Sequence, residues 1–397
     1  MSEHQEQQHD QEQYALGRGT GPLRGVKVVE VAGIGPGPHA AMILADLGAD
    51  VIRVERPGGS FLVGGPDDLL NRGRPSVALD LKQPEAVATV LDLVEGADVL
   101  LEGMRPGVTE RLGLGPADCH ARNPRLVYGR MTGWGQDGPL ASAAGHDLNY
   151  VALSGALFGL GQDPARPHFP TNLVGDFGGG SAYLVIGVLA ALLEARLSGQ
   201  GQVVDAAIVD GTAHVNTMTA AFVGAGTFRE ERAVNLLDGG APYYDLYETS
   251  DGEHMSVGAP EPQFFAAFLD LLGITDESPG QADLDRYAEM RELITARFAS
   301  RTRAEWTAVF EGTDACVAPV LRISEAQQHP HLAARGTYVE HHGRVQPAPA
   351  PRFSRTAASL STPPPARPGQ QTRAALAAWG VTDVDGLIER GVAVQAD

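Results

Sequence analysis

The stretch from residue 26 to residue 55 constrains the fold most. A β-branched run at 26–32 is followed by Gly33-Ile-Gly-Pro-Gly-Pro38, a helical pattern at 39–48, and a second run at 50–55. Two strands joined through a helix run parallel, because the crossover carries the chain back to the starting edge of the sheet. The alternation continues with strands at 76–81, 97–102, 126–130 and 201–209 and helices at 84–94 and 108–111. An α/β fold follows, with an open, mostly parallel Rossmann-like sheet in a large domain.

The pattern changes after residue 234. Short runs at 243–248 and 253–257, joined by Ser250-Asp-Gly252, predict a hairpin, and helical patterns follow at 262–272, 284–299 and 304–310. The expected organisation is a polar, disordered tail at 1–20, a large domain at 21–234, a smaller α+β domain at 235–325, and a return segment at 326–397 that completes the large domain. Proline at 348–368 predicts an extended stretch, and the chain closes on a helical pair at 371–379 and 384–390.

A formal net charge of -19 argues against a nucleic-acid surface. Two distant cysteines, Cys119 and Cys316, provide neither a disulfide framework nor a metal site, and the N-terminal residues lack an apolar leader core; together these predict a cytoplasmic protein. Arg53, Arg56, Arg72, Arg74, Lys82, Arg105 and Arg111 fall near strand ends, where open α/β sheets bind ligands. They predict an anion site, with scattered surface arginines as the plainer alternative. Glu55 stands where a ribose-binding acid would in a dinucleotide site, but Pro36 and Pro38 interrupt the glycine fingerprint and remove N–H donors, which disfavours nicotinamide binding.

Two glycine-flanked polar groups stand out, His146 in Gly145-His-Asp-Leu-Asn-Tyr150 and Asp176 in Gly175-Asp-Phe-Gly-Gly-Gly180. An imidazole accepts a proton near neutrality, and an aspartate among apolar residues has its pKa raised until it donates one, so the two suit opposed proton transfers. A structural hydrogen-bonded pair is the alternative. The Asp-Phe-Gly lacks the phosphate loop and catalytic loop of a kinase. The apolar segment 181–194 predicts a buried helix, too short for a membrane span, whose free N-terminal N–H groups at Gly178–Gly180 would stabilise negative charge.

Seven motifs then resemble one family. Gly35-Pro-Gly-Pro38 with Ala45-Asp-Leu-Gly-Ala-Asp-Val-Ile-Arg-Val-Glu55, Glu102-Gly-Met-Arg-Pro-Gly-Val108, Arg111-Leu-Gly-Leu-Gly115, Met131-Thr-Gly-Trp-Gly135, Ala144-Gly-His-Asp147, the Asp176 motif and Gly258-Ala-Pro-Glu-Pro-Gln-Phe264 occur in order. They resemble the class III CoA-transferase superfamily, and within it the racemase branch, from Gly21 to the last helices. Asn71-Arg-Gly-Arg74 also fits. The resemblance implies an interlocked homodimer and an acyl-CoA thioester as substrate, with no further cofactor and no metal. It implies that His146 and Asp176 are the opposed acid/base groups, with Glu261 of the partner subunit tuning the histidine. Contacts to CoA are implied at Arg56, Leu79, Asp80, Leu81, Lys82, Gly103, Met104, Arg105, Arg111, Gly145, Asp147, Leu148, Asn149 and Tyr150. Epimerisation of a 2-methylacyl-CoA by two-base proton transfer is the implied reaction. A transferase using Asp176 as nucleophile is the rival. An apolar bed for the acyl chain is expected among Met131, Leu148, Leu153, Phe158, Leu160 and Met218.

Overall fold

The computed structural model describes residues 16–59 and 63–396; most of the expected N-terminal tail lies outside this range. The chain divides into two compact units, one comprising the residues up to Ser154, Thr171–Val215 and those from His331 onward, the other Gly155–Pro170 and Asn216–Pro330. At the start of the described chain, the Gly17 N–H donates to both carboxylate oxygens of Asp50, at 2.9 and 3.0 Å.

The first unit is built on six parallel strands, β1 (Lys27–Val31), β2 (Asp50–Glu55), β3 (Ser76–Leu79), β4 (Val99–Glu102), β5 (Val127–Thr132) and β6 (Val203–Ala207). Their spatial order is 3-2-1-4-5-6, with a short C-terminal strand, Ala393–Val394, added antiparallel outside β3. Val28 pairs with Val51 on one side and Val99 on the other. The strands are apolar on both faces because helices cover both, and two core clusters result, one around Ile52, Leu79 and Leu100 and one around Val28, Leu101 and Val188. Strand order reverses between β1 and β4. That switch point opens a crevice at their C-terminal ends, the place where such sheets bind ligands.

The last strand is shorter than the expected run at 201–209, because the chain turns at Ile208 into a helix, Ile208–Val215. The long apolar segment departs more. Its α-helix, Ala182–Ser198, is preceded without a break by nine residues of π-helix, Leu173–Ser181. The 26-residue whole is long and apolar enough to cross a membrane. Leu184, Val185, Val188, Ala191 and Leu192 instead pack into the sheet's own core.

Glycine explains how the π-helix fits. A Cβ on Gly211 would lie 1.8 Å from the Gly179 carbonyl oxygen, and one on Gly179 would lie 2.5 Å from the Thr212 nitrogen. The two helices therefore meet backbone against backbone.

Three of the seven basic residues assigned to an anion site belong to the interior. Arg53 pairs with Glu30 and, at 2.5 Å, with Glu55; Arg72 pairs with Asp46 at 2.6 Å; Arg74, fully buried, pairs with Glu30 at 2.8 Å. Glu55 also accepts from the Ser76 hydroxyl, so it is committed within the protein and not to a ribose.

The second unit has a three-stranded antiparallel sheet made of the hairpin Tyr244–Glu248 and His254–Gly258 with Val317–Pro319. Helices Pro262–Leu272, Tyr287–Phe298 and Arg303–Phe310 cover it, with Phe298 stacked on Tyr247 at 5.4 Å.

Gly211→Ala should destabilise the protein by about 3 kcal/mol through overpacking. Chemical denaturation checks this; an unchanged midpoint would show that the helices separate at no cost.

Candidate active site

A cavity of about 460 Å³ lies in the switch-point crevice, a volume suited to a small-molecule group. Its lining takes in Glu30 and Gly33–Gly37 at the C-terminal end of β1 and beyond, and Leu101–Pro106 at the end of β4 and beyond. It also takes in Met131–Trp134 at the end of β5 and beyond, Ala143–His146, Tyr150, Asn172, Asp176 and Ile208. His146 and Asp176, thirty residues apart in sequence, thus border one space.

Each is held by its own local structure. His146 is the residue before a short helix, Asp147–Leu153, and its backbone N–H donates to Asn149 Oδ1 at 3.0 Å, while its side chain stays exposed. Tyr150 on that helix crosses the ring edge of Trp134 at 4.7 Å and donates its hydroxyl to the Gly145 carbonyl. A Cβ on Gly133 would fall 2.0 Å from the Tyr150 ring, so the glycine makes room for it.

Asp176 sits in the π-helix, half-buried, and accepts at Oδ2 from the Asn172 side-chain amide at 3.2 Å. Beneath it, the buried Asp147 carboxylate accepts from the Asp176 N–H at 2.7 Å and from the Gly175 N–H. The Asp176 pKa is raised: burial is the main cause and the Asp147 charge adds to it, against the opposing pull of the Asn172 hydrogen bond and of His146. Gly35, at φ +67°, faces the same carboxyl group, and a Cβ there would stand 3.3 Å from Oδ2.

The loops at the strand ends are tied down from below. Glu102, buried, accepts from the Met104 N–H at 2.6 Å and from Arg130 Nε at 2.9 Å, which sets the turn carrying Gly103, Met104 and Arg105. Arg53 donates to the Gly33 carbonyl at 3.3 Å. Across the Gly33–Gly35 ridge a second cavity, of about 430 Å³, is lined by Arg53, Arg56, Val63, Leu69 and Asn71 among others.

Of the positions implied to contact CoA, Gly103, Met104, Arg105, Gly145 and Tyr150 join His146 and Asp176 in the first cavity, and Arg56 lines the second. Arg111 is exposed on helix Val108–Leu112, next to Gly107. Leu79, Asp80, Leu81 and Lys82 line neither cavity: Leu79 is in the core, and the Asp80 N–H donates to the Val392 carbonyl at 3.0 Å. Asp147 is spent on the π-helix N–H groups, Asn149 on the His146 N–H, and the Leu148 side chain is exposed outside the cavity. Of the expected apolar bed, Met131 lines the cavity, while Leu148 and Leu153 do not; Phe158, Leu160 and Met218 lie in the second unit. Glu261 is also in that unit, as the cap of helix Pro262–Leu272.

One expectation is overturned outright. Gly178, Gly179 and Gly180 are not at a free helix N-terminus, because the π-helix begins at Leu173. Their N–H groups lie inside a helix, and two of the glycines serve packing. Asn172, which the sequence reading missed, carried one local signal, an Asn at a helix start four residues before the carboxylate.

The chain belongs to CoA-transferase family III, whose model matches residues 23–372. More particularly, it is 44% identical to the alpha-methylacyl-CoA racemase of Mus musculus over 360 residues, covering 90% of this chain and 93% of that protein. It is likewise 44% identical to the alpha-methylacyl-CoA racemase of Homo sapiens over 338 residues, covering 85% and 87%. Among solved structures, a CAIB/BAIF family protein from Brucella suis superposes with a TM-score of 0.79 at 26% identity, covering 91% of this chain and all of that one.

Selectively labelled protein should show the Asp176 carboxyl carbon titrating above the ordinary aspartate value by NMR. In Asp147→Asn, which keeps an acceptor but removes the charge, that titration should move down. An unmoved midpoint would remove Asp147 from the causes.

Proposed function

We propose that this protein interconverts the two epimers of a 2-methylacyl-CoA thioester. One observation carries the reading: an imidazole and a carboxyl group of raised pKa, His146 and Asp176, border the same cavity at the switch point. The identity to two racemases supports the substrate class.

In this reading the thioester enters the cavity with its α-carbon between the two groups. His146 removes the α-proton from one epimer and leaves an enolate. Asp176, whose neutral form burial and the Asp147 charge favour, delivers a proton to the opposite face. The Asn172 amide bonded to Oδ2 and the close approach of Gly35 leave Oδ1 as the oxygen that carries this proton. In the reverse direction the roles exchange. No redox step is involved, since the electron pair of the broken C–H bond returns to carbon.

The CoA moiety would run past Gly103–Arg105 and, over the Gly33–Gly35 ridge, toward Arg56. Two copies would form an interlocked homodimer, in which Glu261 of the partner subunit pairs with His146. A transferase would use Asp176 as an ionised nucleophile. A raised pKa works against that role, and a transferase has no use for a second base on the same cavity.

In deuterium oxide, either epimer should take up label at the α-carbon and scramble its configuration without an acceptor acid. His146→Ala should lower exchange from one epimer by about 10²-fold or more, and Asp176→Ala from the other. Equal loss from both, or none, contradicts the two-base assignment; CoA transfer to an added acid without exchange supports the rival.

A further inference from the structure

We infer that His39 is a positioning residue for Asp176, acting through Ser181 to hold the π register of the segment that carries the carboxylate. The inference rests on the epimerase reading for its kinetic consequence, though not for its structural one.

The interaction sits where the π-helix passes into the α-helix. The Phe177 carbonyl accepts from the Ala182 N–H, five residues ahead, which is the π pattern. In an α-helix it would accept from the Ser181 N–H, four residues ahead. The Ser181 hydroxyl fills that vacated direction, donating to the Phe177 carbonyl at 3.0 Å. Its single proton is thereby used, so the 2.6 Å contact between Ser181 Oγ and His39 Nδ1 is made by an Nδ1–H donating to the serine oxygen. The imidazole also lies on the Phe177 ring, 4.5 Å between centroids. His39 belongs to the helix Pro36–Asp46, which starts at the cavity lining and is anchored by the Arg72 to Asp46 pair. Burial, with Arg72 and Arg74 nearby, lowers the His39 pKa and so favours the neutral ring.

A π segment costs poorer backbone geometry, and it persists where its surroundings hold it. Ser181 is fully buried, so nothing else in solvent can replace the imidazole as donor to it. Without that donor the serine hydroxyl loses its orientation and the segment can relax toward α register. That change of one residue turns a side chain by about 100° around the helix. Asp176, one residue before Phe177, would then leave the cavity face while the fold survives.

The test uses His39→Ala, Ser181→Ala and His39→Asn in the full-length protein, the asparagine amide standing where Nδ1–H stood. Crystals of His39→Ala should show residues 173–181 shifted toward α register, and those of His39→Asn the π register. Kinetically, His39→Ala and Ser181→Ala should lower exchange from the epimer whose proton Asp176 removes at least tenfold more than from the other, in kcat and not in KM, with His39→Asn restoring most of it. Retained π register in His39→Ala overturns the inference, as does an equal loss from both epimers in folded protein or an asparagine variant no better than alanine. Wild-type protein that exchanges neither epimer would count against the epimerase reading instead, and the crystallographic register would still decide this one.

Discussion

Everything at the site depends on a contact with no side chains in it, the meeting of Gly179 with Gly211. The space there is too small for a methyl group, so the π-helix and the helix Ile208–Val215 fix each other's position through their backbones. The Asp147 carboxylate then clamps the first turn from below through the N–H groups of Gly175 and Asp176. A carboxyl group placed this way keeps its direction even while half-buried, and burial raises its pKa. Geometry and acidity thus arise from the same packing.

A second layer of the same logic lies under β1 and β2. Glu30, Arg53, Glu55 and Arg74 form a buried network whose charges would each cost several kcal/mol if left unpaired. Its energy does not have to be net favourable to matter. By holding the Gly33 carbonyl through Arg53, it sets the ridge between the two cavities. Glu102 with Arg130 does the corresponding work for the turn after β4. The crevice is therefore edged on both sides by loops whose conformations are tied to buried carboxylates.

Much of this was legible beforehand. The β-branched runs separated by helical patterns carried the strand positions and the parallel pairing, because short apolar runs and 3.6-residue periodicity are local properties of the chain. The hairpin at Tyr244–Gly258 was equally plain from Ser250-Asp-Gly252. His146 and Asp176 stood out by their glycine flanks. The arginines did not sort themselves: nothing local separates Arg53 and Arg74, which meet carboxylates from other strands, from Arg105, which meets the cavity. The glycine triplet misled for a related reason. Read locally, glycines after an aspartate resemble a loop before a helix; in three dimensions Gly179 faces another helix, and the backbone continues through it in π register. Asn172 and His39 escaped notice because their importance comes from partners four and 142 residues away.

The central claim is stereochemical, and a crystal structure with a 2-methylacyl-CoA bound tests it most directly. The account predicts the His146 imidazole and the Asp176 carboxyl on opposite faces of the α-carbon, each within about 3.5 Å of it. Both groups on one face, or the Asp176 carboxylate aimed at the thioester carbonyl carbon in line for attack, would contradict it.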